Sequence, residues 1–242
     1  MSITAKPCQD CGSAAPYEEI LIGGIDMATS VPHLCTECAG IRDKKQAIVQ
    51  ERERKIANAR ANLAAVVPPR LRDTDTSHAD FNLAAWESVG KVDVDDPRNI
   101  VLIGRAGVCK SRILALLAKR SALRGKSLAW MPAHDFAMLS DRYKAWKTRA
   151  DAAEEITRLR YCDRLVFDDL GKEDWNSKIE ETFFHVIDHR YSHNRPTWFS
   201  CNTHPQHMLM EGRLSRDRGE AIIGRILEGA IIYTITDHRE PQ

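Results

Sequence analysis

From residue 98 onward, five short apolar runs alternate with amphipathic stretches, and this alternation narrows the fold more than any other feature of the chain. The runs are NIVLIG (99–104), SLAWM (127–131), RLVFDD (164–169), TWFSCN (197–202) and AIIYTI (230–235), with helical stretches between them, for example over 110–124 and 178–193. Strands that alternate with helices build an α/β domain, a mostly parallel sheet with helices on both faces. Such sheets bind ligands beyond the carboxyl ends of their strands. The residues that follow each run are therefore where chemistry is expected.

The first run leads into IGRAGVCKS (103–111). With glycine at 109 this would be the phosphate-binding pattern glycine, four residues, glycine, lysine, serine. The context is also the one that motif needs, a strand, a loop and a helix. Backbone N–H groups of Gly104, Arg105, Ala106, Gly107, Val108 and Cys109 would wrap the phosphates, helped by the N-terminus of a helix that opens at Lys110, Ser111 and Arg112. Lys110 would reach the β- and γ-phosphates and Ser111 would bind Mg²⁺. A side chain at 109 costs something, through steric contact or backbone strain. Cysteine is small, however, and the lysine and serine are intact. ATP and Mg²⁺ are expected to bind, with slow hydrolysis.

The third run ends in two acids. Adjacent carboxylates at a buried strand end are costly unless they bind something. Asp168 fits the residue that holds Mg²⁺, and Asp169 the base that orients or activates the attacking water, a place more often filled by glutamate. Asn202 ends the fourth run, where an amide could sense the γ-phosphate or position that water.

The N-terminal part reads differently. Residues 1–40 hold Cys8-x-x-Cys11 and Cys35-x-x-Cys38, with too few apolar residues for a core of their own. Two such knuckles complete a closed tetrahedral Zn²⁺ site, and a segment this polar needs a staple of that kind. Gly12 suits a positive φ in the first knuckle, and His33 is a weaker substitute ligand. A closed four-thiolate site is structural, not catalytic. Residues 41–66 form a strongly helical linker with one narrow apolar stripe, Ile41, Ile48, Ile56 and Leu63, and a basic bias between 41 and 60 of seven Lys or Arg against three acids. Pro68 and Pro69 stop it, so the ATPase domain is expected over 67–242. The net charge of +1 directs any nucleic-acid binding to local patches. No apolar run is long enough for a membrane span and the N-terminus lacks a leader's apolar core, so the cytoplasm is the expected compartment. Cys162 and Cys201 read as small buried hydrophobes, and the nine histidines show no metal pattern.

Taken in order, these motifs resemble one family, the AAA+ ATPases of the bacterial and phage helicase-loader type (DnaC- and DnaI-like), with the IstB-type transposase helpers as close relatives. VPPRLRDTD (67–75) is similar to the family's segment ahead of the core, LVFDDLGKE (165–173) to its Walker B strand, and VIDHRYSHNRPTWFSCNTHP (186–205) to its sensor-1 region. GEAIIGRILEGAIIYTI (219–235) resembles the box that carries the arginine finger, here Arg225. GVCKS itself resembles the variant loop ending Ala-Lys-Ser of MCM-type helicases. The resemblance covers roughly residues 66–240. It implies a five-stranded parallel AAA+ sheet without a C-terminal helical lid, a trans-acting Arg225, a sensor-2 role for Arg239, and an ATP-promoted open helical oligomer.

The resemblance also implies partners: a DnaB-type hexameric helicase gripped by the N-terminal region, and single-stranded DNA touched by the core. DRYKAWKTRA (141–150) fits the second, because Arg142, Lys144, Lys147 and Arg149 are interleaved with Tyr143 and Trp146. The expected function is thus an ATP-dependent helicase loader in phage or mobile-element DNA replication. The alternatives are an ATPase helper of a transposase, or an ATP-binding switch without useful hydrolysis. A simple P-loop kinase leaves the sensor and finger boxes unexplained.

Overall fold

The structure is a computed structural model that describes all residues except 1–3, 18–20, 23–24, 27–33, 80, 173–174 and 238–242. His33 and Arg239 lie outside the described residues. The chain divides into two compact units, 1–57 and 58–242.

In the first unit, β1 (Thr4–Pro7) pairs antiparallel with β2 (Ala14–Tyr17), and the two-residue pieces β3 (Leu21–Ile22) and β4 (Ile25–Asp26) pair with each other. The β1–β2 turn closes on itself: the Cys8 N–H donates to Ser13 O at 2.7 Å and the Gly12 N–H to Cys8 O at 2.9 Å. Gly12 has φ +76°, the left-handed value its place in the knuckle suggested. The linker helix α1 (Thr36–Val66) starts five residues ahead of the sequence expectation, so Cys38 lies in its first turn. The unit boundary falls within α1. Of the stripe, Ile41 and Ile48 are exposed, whereas Leu63 joins the core of the second unit together with Ala59 and Val66 from outside it.

The second unit opens with two short helices, α2 (Pro69–Arg72) and α3 (Leu83–Val89). Five strands and six helices then follow in turn: β5 (Ile100–Ile103), α4 (Lys110–Leu123), β6 (Leu128–Pro132), α5 (Ala133–Lys144), α6 (Arg149–Tyr161), β7 (Arg164–Leu170), α7 (Ser177–Ser192), β8 (Thr197–Cys201), α8 (His207–Met210), α9 (Arg216–Leu227) and β9 (Ile231–Thr234). All five expected strands are present. They form one sheet, parallel throughout, in the order β6-β7-β8-β5-β9.

Period-two alternation covers both faces of this sheet. Ile100, Leu102, Trp130, Val166 and Trp198 face α4 and its neighbours, including Ile113, Leu114 and Leu117. Val101, Met131, Leu165, Phe167 and Phe199 face α5, α6, α7 and α9. An aromatic cluster anchors the second layer, with Phe167, Trp175 and Phe183 each within 6.3 Å of Phe136 or of one another, ring centre to ring centre. Cys162 and Cys201 are buried here as small apolar groups. The strand that feeds the glycine loop, β5, lies between β8 and β9, so its carboxyl end is held on both sides.

Candidate nucleotide site and four-cysteine centre

The loop after β5 carries the sharpest backbone signature in the chain. Gly107 has φ +87° and Cys109 has φ +79°. Both are left-handed, and for a residue with a Cβ that conformation costs about 1–2 kcal/mol. The cost of Cys109 is thus backbone strain at the position immediately before α4. Gly104 is glycine for another reason: a Cβ there would lie 2.3 Å from Ile235 O. Cys109→Gly is expected to raise the thermal midpoint of the nucleotide-free protein by a few degrees, the effect of relieving about 1 kcal/mol in a unit of this size. ATP affinity should stay within a few-fold. Thermal denaturation and nucleotide titration check both, and binding that exists only in the glycine variant contradicts this reading.

A pocket of ≈ 400 Å³ opens over the loop, lined by Ala106, Gly107, Cys109, Lys110, Ser111, Arg112, Asp169, Lys172, Arg70 and Leu71. Six of the nine residues expected at 104–112 line it. Val108 is buried in the core behind it, and Gly104 and Arg105 contribute carbonyls to Lys110. The Lys110 ammonium donates to Gly104 O at 2.6 Å, Arg105 O at 2.9 Å and Asn202 Oδ1 at 3.2 Å. Burial pulls its pKa down, opposed by the nearby Asp169 carboxylate.

Asp168 and Asp169 sit on a β-bulge. Phe167 is in register with Phe199 and Leu170 with Cys201, so β7 carries one extra residue there. The bulge turns consecutive carboxylates to different tasks. Asp168 is buried and accepts from the Ser111 hydroxyl at 2.9 Å and from the Ser200 hydroxyl. Burial pushes the Asp168 carboxyl up, against the pull of those two hydroxyls. Asp169 has φ +62°, a strained backbone, and lines the pocket. Its N–H donates to Ser200 Oγ at 2.8 Å, and its Oδ2 pairs with Lys172 at 2.8 Å.

Lys110, Ser111, Asp168, Asp169 and Asn202 thus converge at the carboxyl ends of β5, β7 and β8. Ser111 and Asp168 offer a hydroxyl and a buried carboxylate to one another. This is the hard-oxygen donor set that Mg²⁺ prefers, alongside phosphate oxygens. Ser200, Lys172 and Arg70 were not singled out from sequence. Ser200 had a signal, a hydroxyl in an otherwise apolar run. Arg70 and Leu71 reach the pocket because 67–75 is pinned to α4: the Lys119 ammonium donates to Thr74 O and the Arg112 guanidinium to Thr74 Oγ1 at 3.3 Å.

Arg225 does not reach this pocket. It lies on α9, where its Nε donates to Asp188 Oδ1 at 2.6 Å and its guanidinium stands 5.0 Å from the ring centre of Phe184. Asn99 holds the same turn, donating to Arg225 O at 3.0 Å and Ile226 O at 3.1 Å. The basic stretch is also engaged within the chain. Arg142 lies 3.9 Å from Glu155, Lys144 3.1 Å from Glu181, and Arg149 stacks 5.7 Å from the Tyr143 ring centre, while Lys147 is exposed. Such surface pairs contribute about 0–1 kcal/mol each. The side chain of Trp146 lies outside the described residues.

In the first unit the four Sγ atoms of Cys8, Cys11, Cys35 and Cys38 all lie within 4.8 Å of one another, with Cys11 and Cys35 at 3.7 Å. Four thiolates about 2.3 Å from a zinc ion stand about 3.8 Å apart, so the cluster fits tetrahedral zinc. Asp10, inside the first knuckle, accepts from Arg42 Nε at 2.8 Å.

The fold and the site together define an AAA+ core with a P-loop nucleotide site. A sequence profile of the IstB-like ATP binding protein family matches residues 47–207, and the chain belongs to that family. Solved structures share the fold. DnaI is 24% identical with a TM-score of 0.54, over 72% of this chain and 94% of that one. The DnaC helicase loader is 18% identical with a TM-score of 0.53, over 69% and 99%. AMPPCP-bound DnaA from Aquifex aeolicus is 23% identical with a TM-score of 0.52, and the chain spans only 51% of it. No curated protein matches the chain. Among the described residues no helix is long and apolar enough to cross a membrane.

Proposed function

We propose that the chain is a cytoplasmic ATPase that loads a hexameric DnaB-type helicase onto single-stranded DNA in phage or mobile-element replication. The observation that carries this reading is the convergence of Lys110, Ser111, Asp168, Asp169 and Asn202 in one unit of a chain whose other unit holds the four-cysteine cluster. The first supports nucleotide-driven work and the second supports docking to a partner protein. Zinc bound by Cys8, Cys11, Cys35 and Cys38 would fix the docking unit, with α1 beside it. Residues 1–40, 41–66 and 67–242 then act as zinc module, linker and ATPase.

In the ATPase unit, Lys110 balances charge on the β- and γ-phosphates, Asn202 orients the attacking water, and Asp169 takes its proton. Mg²⁺ held by Ser111 and Asp168 would neutralise phosphate charge. Arg142, Lys144, Lys147 and Arg149 track the DNA backbone. Arg225 acts on the nucleotide of a neighbouring copy, so the ATP-bound form is an oligomer.

The affinity experiment is retention of a DnaB-type helicase by the full chain with ATP and single-stranded DNA. Retention of a transposase in its place would favour the second reading, a transposase helper, which the family match itself supports. Turnover equal to that of Asp169→Ala, with DNA and partner present, would favour a non-hydrolysing switch. The trans role of Arg225 gives a further prediction. Arg225→Ala and Lys110→Ala should each be nearly inactive, while their mixture regains part of the wild-type rate, because one supplies an intact site and the other the arginine. A mixture no faster than its components contradicts a trans finger.

A further inference from the structure

Lys172 lies three residues after the base, in a turn shaped by two left-handed residues, Asp169 at φ +62° and Gly171 at φ +90°. That turn folds the ammonium back onto Asp169 Oδ2 at 2.8 Å, and both side chains line the nucleotide pocket. Two of the other pocket cations are tied to groups away from Asp169. Lys110 is held by loop carbonyls and Asn202, and Arg112 points to Thr74. The Lys172 side chain is 43% exposed, and among the described residues its ion pair is with Asp169, so it can change partners at small cost. While that ion pair is made, one oxygen of the Asp169 carboxylate is occupied by the ammonium.

We propose that Lys172 is a reader of the terminal phosphate: it clamps Asp169 and transfers to the γ-phosphate of ATP, which frees that carboxylate. The inference rests on the ATPase reading of the site. Its chemistry balances. The water oxygen forms a bond to the γ-phosphorus, the bond from that phosphorus to the β–γ bridging oxygen breaks with its electron pair leaving on ADP, and the water proton passes to the freed Asp169 carboxylate. ADP has no phosphate at the third position and leaves the clamp closed.

Two variants of the full chain test this by titration with ATP and with ADP, each with Mg²⁺, alongside steady-state turnover. Lys172→Ala should weaken ATP by about tenfold, the worth of one charge-assisted hydrogen bond, and leave ADP within about twofold. Lys172→Arg should restore most of the preference for ATP. Asp169→Asn should tighten ATP by about two- to threefold, the worth of an exposed ion pair that no longer has to break. That gain should vanish in the Lys172→Ala, Asp169→Asn double variant. Equal losses of ATP and ADP affinity in Lys172→Ala, or an unchanged ratio, overturn the proposal. A wild-type protein that binds both nucleotides but hydrolyses neither overturns the hydrolytic reading instead, and the affinity ratio still decides the role of Lys172.

Discussion

Asp168→Asn is expected to cut ATP turnover by about 10³-fold and to remove the Mg²⁺ dependence of ATP binding, because a bound cation contributes several kcal/mol to stabilising the transition-state charge. The same change should not destabilise the nucleotide-free protein. The carboxylate is 5% exposed, and burial raises its pKa in spite of the two hydroxyls that serve it, so its buried charge opposes folding. Asparagine keeps an acceptor for Ser111 and Ser200 without the buried charge. A thermal midpoint equal to or above wild type, together with lost turnover, identifies Asp168 as a functional group and not a structural one. A large fall in midpoint with turnover retained per folded molecule points the other way.

Removing zinc is the second large effect. Among the described residues of 1–57, Cys8 and Ala15 are the only buried apolar ones, which is far too little for a core. Structural zinc contributes about 10–16 kcal/mol in comparable small modules. Metal analysis should therefore find one zinc per chain, and Cys11→Ser or a strong chelator should unfold the first unit. The nucleotide site lies wholly within 58–242 and should keep its ATP affinity. Loss of partner retention with ATP binding intact is the expected pattern. Protease resistance of the N-terminal unit that survives metal removal would falsify the zinc assignment.

Much of this was legible in the sequence because it depends on neighbours along the chain. NIVLIG followed by a glycine loop and a helix gave β5 and α4 their places, and the paired CxxC spacing brought four sulfurs together. What escaped depends on groups distant in sequence. At the bulge in β7 the Asp169 N–H donates to Ser200 on the adjoining strand, so RLVFDD alone shows two acids but not that they meet different partners. The strain at Cys109 was foreseen as one of two costs, and only its φ says which. Arg70 reaches the pocket through contacts of Thr74 with α4, which no local pattern encodes. The start of α1 at Thr36 was hidden by the composition shift at residue 41, since the helix begins inside the metal knuckle itself.

The order of the sheet also sets a timetable for biosynthesis. Ile100 on β5 finds its partners at Trp198 and Ile231, so the phosphate loop has no stable strand beneath it until nearly the whole chain has left the ribosome. The four cysteines are all made by residue 38. A nascent chain therefore carries all four cysteines of its first unit long before the strand under its glycine loop finds its neighbours.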